Sequence, residues 1–163
     1  MASTKASPLA KTLKQNRPFA SLQQEAFLSI LRTASELSYA ADKSLRELGI
    51  TQPQYNVLRI LRGASEDGLY RNEISSRMVA ATPDMSRLLD RMEKSGWITR
   101  KRSEDDRRQV STFITESGQK LLATIEAPVG HHTNQMFEGV SSADLKLLLN
   151  VLAQIRSRNS ELD

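Results

Sequence analysis

Residues 81 to 118 restrict the fold most. They read ATPDMSRLLDRMEKSGWITRKRSEDDRRQVSTFITESG. The stretch opens as a helix, with Thr82 expected as N-cap and Pro83 in the first helical position, where its missing N–H costs nothing. Met85, Leu88, Leu89 and Met92 recur at i, i+3, i+4 and i+7 and share one face. Gly96 is placed to end the helix. The period then changes to two. "WITRKR" and "QVSTFIT" alternate as short strands, with Ile98, Val110, Thr112 and Ile114 expected to point inward, and "SEDDRR" joins them as a turn. Thr115 is placed to cap a further helix, with Glu116 stabilised near its N-terminus. A hairpin directly behind a helix of this kind is a wing.

The upstream sequence supplies a helical partner for it. Ser21 with Gln24 fits a capping box, and apolar residues from Phe27 to Leu48 follow at helical spacing up to Gly49. Thr51 with Gln54 makes a second capping box, flanked by Ile50 and Tyr55 in staple positions, and this helix runs to Gly63. Leu69 and Tyr70 fit one short strand. A brief helix around Glu73 to Met78 follows, with Asn72 expected as its cap. A short helix, a tight turn and a second helix make a helix-turn-helix, in which the start of the second helix enters the major groove.

The exposed face of that second helix carries the chemistry. Pro83, Ser86, Arg87, Asp90 and Lys94 fall opposite the apolar face, flanked by Asp84 and Arg91. Ser86 and Arg87 lie nearest the N-terminus, and Arg87 is suited to a bidentate contact with guanine. The same residues also fit a solvated helix surface with i,i+4 ion pairs. The hairpin favours the first reading. From residue 87 to 108 there are eight basic side chains against five acidic, so +3 of the chain's formal +4 falls in this segment. An Arg at the hairpin tip would be drawn to a narrow minor groove. Acids beside it fit if one of them holds an Arg in place through a charge-assisted bond.

These motifs resemble those of the multiple-antibiotic-resistance regulator (MarR) family, winged-helix transcription factors that act as homodimers. The family's wing pattern is Asp-x-Arg, three residues, Val-x-Leu-Thr, two residues, Gly. Asp106, Arg108, Thr115 and Gly118 match it, Ile114 stands for the Leu, and Thr112 departs from the usual Val. "SRLLDRMEKSGW" resembles the recognition helix and "TQPQYNVLRIL" the helix that opens the DNA-binding part. The resemblance runs from about residue 25 to 158. It implies a mainly α fold with a small β wing: a winged helix-turn-helix domain over 50–115, a dimerisation helix over 21–49 and C-terminal dimerisation helices over 116–163. Residues 1–20, basic and without an acid, are expected to be a flexible arm.

The remaining residues fit this scheme. Leu145, Leu148, Leu149, Leu152 and Ile155 form a stripe too wide for a lone surface helix, and large apolar patches mark interfaces. The resemblance implies that the first helix and the last two interlock with a second copy. Two recognition helices related by a two-fold axis would read a pseudo-palindrome with half-sites about one helical turn apart. The expected DNA-binding residues are Thr82, Pro83, Ser86, Arg87, Arg91, Lys94, Arg107 and Arg108, with Asp106 positioning the wing. Family members often respond to small phenolic or lipophilic effectors, and Phe27, Tyr39, Tyr55 and Phe137 are candidates to line such a pocket, although each also fits ordinary core.

Other functions find little support. The chain has no cysteine, so disulfides and thiolate metal sites are excluded. His131 and His132 are adjacent and do not share a helix face, so no metal or other cofactor is expected. Seven scattered glycines form no phosphate-cradling loop, and no nucleophile elbow appears, so an enzyme is not expected. No apolar run approaches the roughly 18 residues of a membrane span, and the N-terminal residues lack a secretory signal's apolar core. The expected protein is a cytoplasmic, sequence-specific double-stranded DNA-binding regulator, ligand-responsive and repressing. The alternative is a winged-helix protein-interaction module without specific DNA binding.

Overall fold

The computed structural model describes residues 7–102 and 110–160. Seven helices and three strands follow in chain order: α1 (Pro8–Thr12), α2 (Leu22–Glu47), α3 (Gln52–Arg62), β1 (Leu69–Tyr70), α4 (Arg71–Arg77), α5 (Met85–Lys94), β2 (Ile98–Arg102), β3 (Val110–Ile114), α6 (Glu116–Met136) and α7 (Ser142–Ser160). The chain divides into two compact units, one up to Val129 and one from Gly130. Pro128, which cannot donate to the helical ladder, lies inside α6 just before that division.

Local signals account for most boundaries. Ser21 accepts the Gln24 N–H at 3.1 Å and starts α2. Gln54 reaches back to the Thr51 N–H at 2.9 Å and starts α3. Gly96, at φ +74°, ends α5 in a Schellman turn: Trp97 N–H donates to the Met92 carbonyl at 3.1 Å and Gly96 N–H to Glu93 at 2.9 Å. That turn releases the chain directly into β2.

The sheet is antiparallel with order β1-β3-β2. Ile98 pairs with Ile114, Arg100 with Thr112 and Arg102 with Val110, while Leu69 of β1 pairs with Thr112 from the other side. Thr112 is therefore central and fully buried, so the family's usual Val position accepts a residue of the same shape. The first unit has a continuous core that includes Val57, Leu58 and Leu61 of α3, Ile74 of α4, Leu88, Leu89 and Met92 of α5, Ile98 of β2, and Leu122 and Ile125 of α6. Burying large aliphatic side chains of this kind contributes about 1.5–3 kcal/mol each.

The structure corrects four expectations. α5 begins at Met85, not at Pro83, and its N-cap is Asp84, not Thr82. The Asp84 carboxylate accepts the Arg87 N–H at 3.0 Å, and its charge favours the helix N-terminus where the Thr82 hydroxyl is neutral. α4 begins at Arg71 behind Tyr70, not behind Asn72. The capping there is done from inside the helix, as Glu73 accepts the Tyr70 N–H at 2.8 Å. Val110 is exposed at the far end of β3, whereas Ile98 and Thr112 are buried as expected. Residues 8–12 form a short helix, capped by Ser7 with Pro8 at its start.

Candidate nucleic-acid interface

α4 and α5 are joined by residues 78–84 and form the helix-turn-helix. The division of α5 into two faces is sharp. Met85, Leu88, Leu89 and Met92 are buried, and Ser86, Arg87, Asp90, Arg91 and Lys94 are exposed. This arrangement follows from the apolar spacing. Four residues within two turns anchor the helix against α3, α4 and β2 and turn Arg87, Asp90, Arg91 and Lys94 outward, while Glu93 lies half-buried toward β2.

The first turn of α5 is organised by Asp84. Besides capping the helix, its carboxylate lies 3.1 Å from Arg87 Nε. The Arg87 side chain is 82 % exposed, so this pair adds little to stability but keeps the guanidinium near the helix start. Ser86 Oγ accepts from Arg71 Nη1 at 3.3 Å. Arg71, Asn72, Ser86 and Arg100 converge on a cleft of about 700 Å³ between α4, α5 and the sheet. Thr82 and Pro83 precede α5 in the turn, half-buried and exposed respectively.

The wing base is held at both ends. Thr115 caps α6, accepting the Gly118 N–H at 3.1 Å, and its own hydroxyl donates to the Gly96 carbonyl at 2.6 Å. Thr115 N–H donates to Trp97 at 3.0 Å. Near the other end, Lys101 Nζ lies 5.5 Å from the Phe113 ring centroid. Arg100 in β2 bridges back to α5, meeting Asp90 and Glu93. Asp106, Arg107 and Arg108 lie outside the described residues.

Phe27 and Tyr39 are exposed on α2. Tyr55 lines a cavity of about 200 Å³ with Arg59, Met78 and Val79. Phe137 belongs to the second unit. His131 is exposed and His132 half-buried on α6. No group of three or more His, Cys, Asp or Glu side chains is arranged to hold a metal among the described residues. No helix among them is long and apolar enough to cross a membrane.

Four residues have roles here other than those the sequence suggested. Asp84 was legible as an Asp ahead of an apolar run. Arg71 and Asn72 reach the cleft only because β1 delivers the chain straight into α4. The Arg100 link spans seven residues across a turn, a spacing with no sequence signature.

Comparison with known proteins agrees with this architecture. The pattern of the MarR family matches residues 50–110. The HTH-type transcriptional regulator TtmR of Methylorubrum extorquens is 32% identical over 136 residues, covering 83% of this chain and 68% of that protein. The transcriptional repressor MprA of Escherichia coli is 25% identical over 129 residues, covering 79% of this chain and 73% of that protein. The crystal structure of the S. aureus MepR–DNA complex superposes with a TM-score of 0.71 at 25% identity, over 81% of this chain and 97% of that one. With its helix-turn-helix, its three-stranded wing sheet and a relative of this identity and coverage, the chain belongs to the MarR family.

Proposed function

We propose that this chain is a sequence-specific double-stranded DNA-binding transcriptional regulator, a repressor, that acts as a homodimer on a pseudo-palindromic operator. The observation that carries this reading is α5, with four buried apolar residues behind it and Ser86, Arg87, Arg91 and Lys94 presented together in front. A helix so anchored offers side chains to base edges without having to order itself first. The expected contacts divide by position. Ser86 and Arg87 read bases, Thr82 and Pro83 set the entry to the helix, and Arg91, Lys94, Arg107 and Arg108 meet phosphate or the minor groove. Asp106 holds a wing Arg in position. The fold relatives support the partner, since MepR is solved with DNA and MprA is a repressor.

The homodimer is supported by exposed apolar surface within each unit. On α7 no residue is buried, and Leu147, Leu149 and Ile155 face outward. On α2, Leu22, Phe27 and Leu31 do the same, Phe27 at 60 % exposure. Surface of this kind on two long helices is what a second copy would cover. We assign the N-terminal residues the role of a basic arm and place the protein in the cytoplasm, where its operator would lie. A small lipophilic or phenolic effector, met by Phe27, Tyr39, Tyr55 and Phe137, completes the proposal.

Footprinting on the intergenic region beside the chain's own gene tests the function. A protected, two-fold-related sequence whose binding weakens with salt supports it. Absence of specific protection up to micromolar protein would favour a protein-interaction module instead.

A further inference from the structure

Asp90 and Glu93 stand on the helix that carries the basic reading face, at i and i+3 of α5. Left alone, both carboxylates would face a polyanion. They are answered by one side chain from the neighbouring strand. Arg100 Nη2 donates to Asp90 Oδ1 at 2.7 Å and to Glu93 Oε2 at 2.6 Å, and Arg100 Nε donates to Glu93 Oε2 at 2.9 Å. The Arg100 backbone N–H donates to Glu93 Oε1 at 3.0 Å.

The backbone bond is informative. β2 is an outer strand of the β1-β3-β2 sheet, and an outer strand leaves alternate N–H groups unpaired. Glu93 takes up one of them with one oxygen and grips the guanidinium of the same residue with the other. A helix carboxylate that holds both the backbone and the side chain of one strand residue fixes the strand's distance and its direction. The Arg100 side chain is 28 % exposed, against 82 % for Arg87. Its charged form is favoured above the ordinary arginine level, first by the hydrogen bond to Glu93 and, after a smaller opposing effect of burial, by Asp90.

We propose that Arg100 is a positioning residue for DNA binding: it clamps α5 to β2 through Glu93 and Asp90, and it neutralises those two acids on the DNA-reading helix. The proposal rests on the DNA-binding reading above. Arg100 lies two residues before the end of β2 and opposite Thr112 of β3. The clamp therefore makes the reading helix and the wing base one body, so that Ser86 and Arg87 are presented at a set angle to the wing. Lysine at this position would keep the charge but lack the planar fork that engages both acids.

The competing role is direct contact with phosphate, because Arg100 also borders the cleft shared by Arg71 and Ser86. A thermodynamic cycle on the full chain separates the two. Affinity for the footprinted duplex is measured by fluorescence anisotropy for wild type, Arg100→Gln, the pair Asp90→Asn with Glu93→Gln, and all three changes together. If Arg100 acts through the acids, Arg100→Gln weakens binding about tenfold in the wild-type background but less than about threefold in the neutral one. The slope of log affinity against log salt in the neutral background is then unchanged by removing Arg100. Equal losses in both backgrounds, with the slope falling by about 0.9, would establish a phosphate contact and overturn the inference. Arg100→Lys covers the case in which Arg100→Gln does not fold; it is expected to weaken binding, and wild-type affinity there would refute the clamp. Specific binding by wild type with no effect of any Arg100 change removes this inference alone, whereas no specific binding by wild type removes it together with the DNA-binding reading.

Discussion

Gly118→Ala adds a single methyl group at the junction between wing and α6, and the geometry there sets the size of its effect. A Cβ on Gly118 would overlap the Trp97 carbonyl oxygen and lie 3.0 Å from Ile114 Cγ1. Ordinary contact begins near 3.4 Å, so α6 would have to withdraw from the Trp97 backbone by about 1 Å. The obstacle is backbone, which cannot rotate away. Overpacking of this sort costs about 1–3 kcal/mol. Withdrawal also strains two hydrogen bonds, Thr115 N–H to Trp97 at 3.0 Å and the Thr115 hydroxyl to Gly96 at 2.6 Å, worth about 1 kcal/mol each. Against this, Ala favours a helix over Gly by about 1 kcal/mol. The net expectation is a loss of about 2–4 kcal/mol, or roughly 4–16 °C in Tm for a chain of this size. Denaturation followed by circular dichroism measures it. Gly63→Ala is the internal control: no atom lies within 3.6 Å of its Cβ and its φ is −85°, so the same substitution should be neutral or stabilising by up to about 1 kcal/mol. Equal stability of Gly118→Ala and wild type would refute the close-approach argument. It would also leave the Gly of the family's wing pattern without a physical reason.

Three further outcomes are expected. Asp84→Ala removes the cap of α5 and should cost about 1 kcal/mol in stability, whereas Thr82→Ala should cost much less; the reverse ranking in urea titrations would restore Thr82 as the cap. Leu149→Glu should convert a dimer of twice 18.3 kDa into a monomer or an aggregate in light scattering, since Leu149 is 64 % exposed in the single chain, and an unchanged dimer would show that this face is not the interface. Asp106→Ala should weaken DNA binding although it removes a negative charge, and its effect should be strongly non-additive with Arg108→Ala; tighter binding with additive effects would exclude a positioning role for Asp106.

Periodicity and punctuation made much of the fold readable. The apolar spacing of α5, the alternation of β2 and β3, and the stops at Gly49, Gly63 and Gly96 are local signals, and each element they imply is present. The helix starts depart from expectation where a less familiar local partner, three residues away, does the capping. Tyr70 caps nothing with its own side chain, and only Glu73 reaching back defines that helix start. Asp84 and Thr82 both had the composition of a cap, and the choice between them depends on how residues 78–83 cross from α4. The exposed face of α5 was legible because the buried face was. The Arg100–Glu93–Asp90 link was not, because which acid an arginine meets depends on how the Schellman turn at Gly96 folds β2 back along α5. Val110 shows the same limit in the other direction: alternation placed it inward, but its strand extends past the core there.

If the exposed face of α5 reads DNA sequence, two of its cations should differ in what they contact. Affinities of Arg87→Ala and Lys94→Ala are determined on the footprinted duplex and on a randomised duplex of the same length, across a salt series. Arg87 lies in the first turn of α5 and Lys94 in the last. Arg87→Ala should lose about 1–3 kcal/mol on the specific duplex and little on the random one. Lys94→Ala should lose affinity alike on both, with the salt slope reduced by about 1. Equal losses on specific and random duplexes for both variants would contradict base reading by the N-terminal turn of α5.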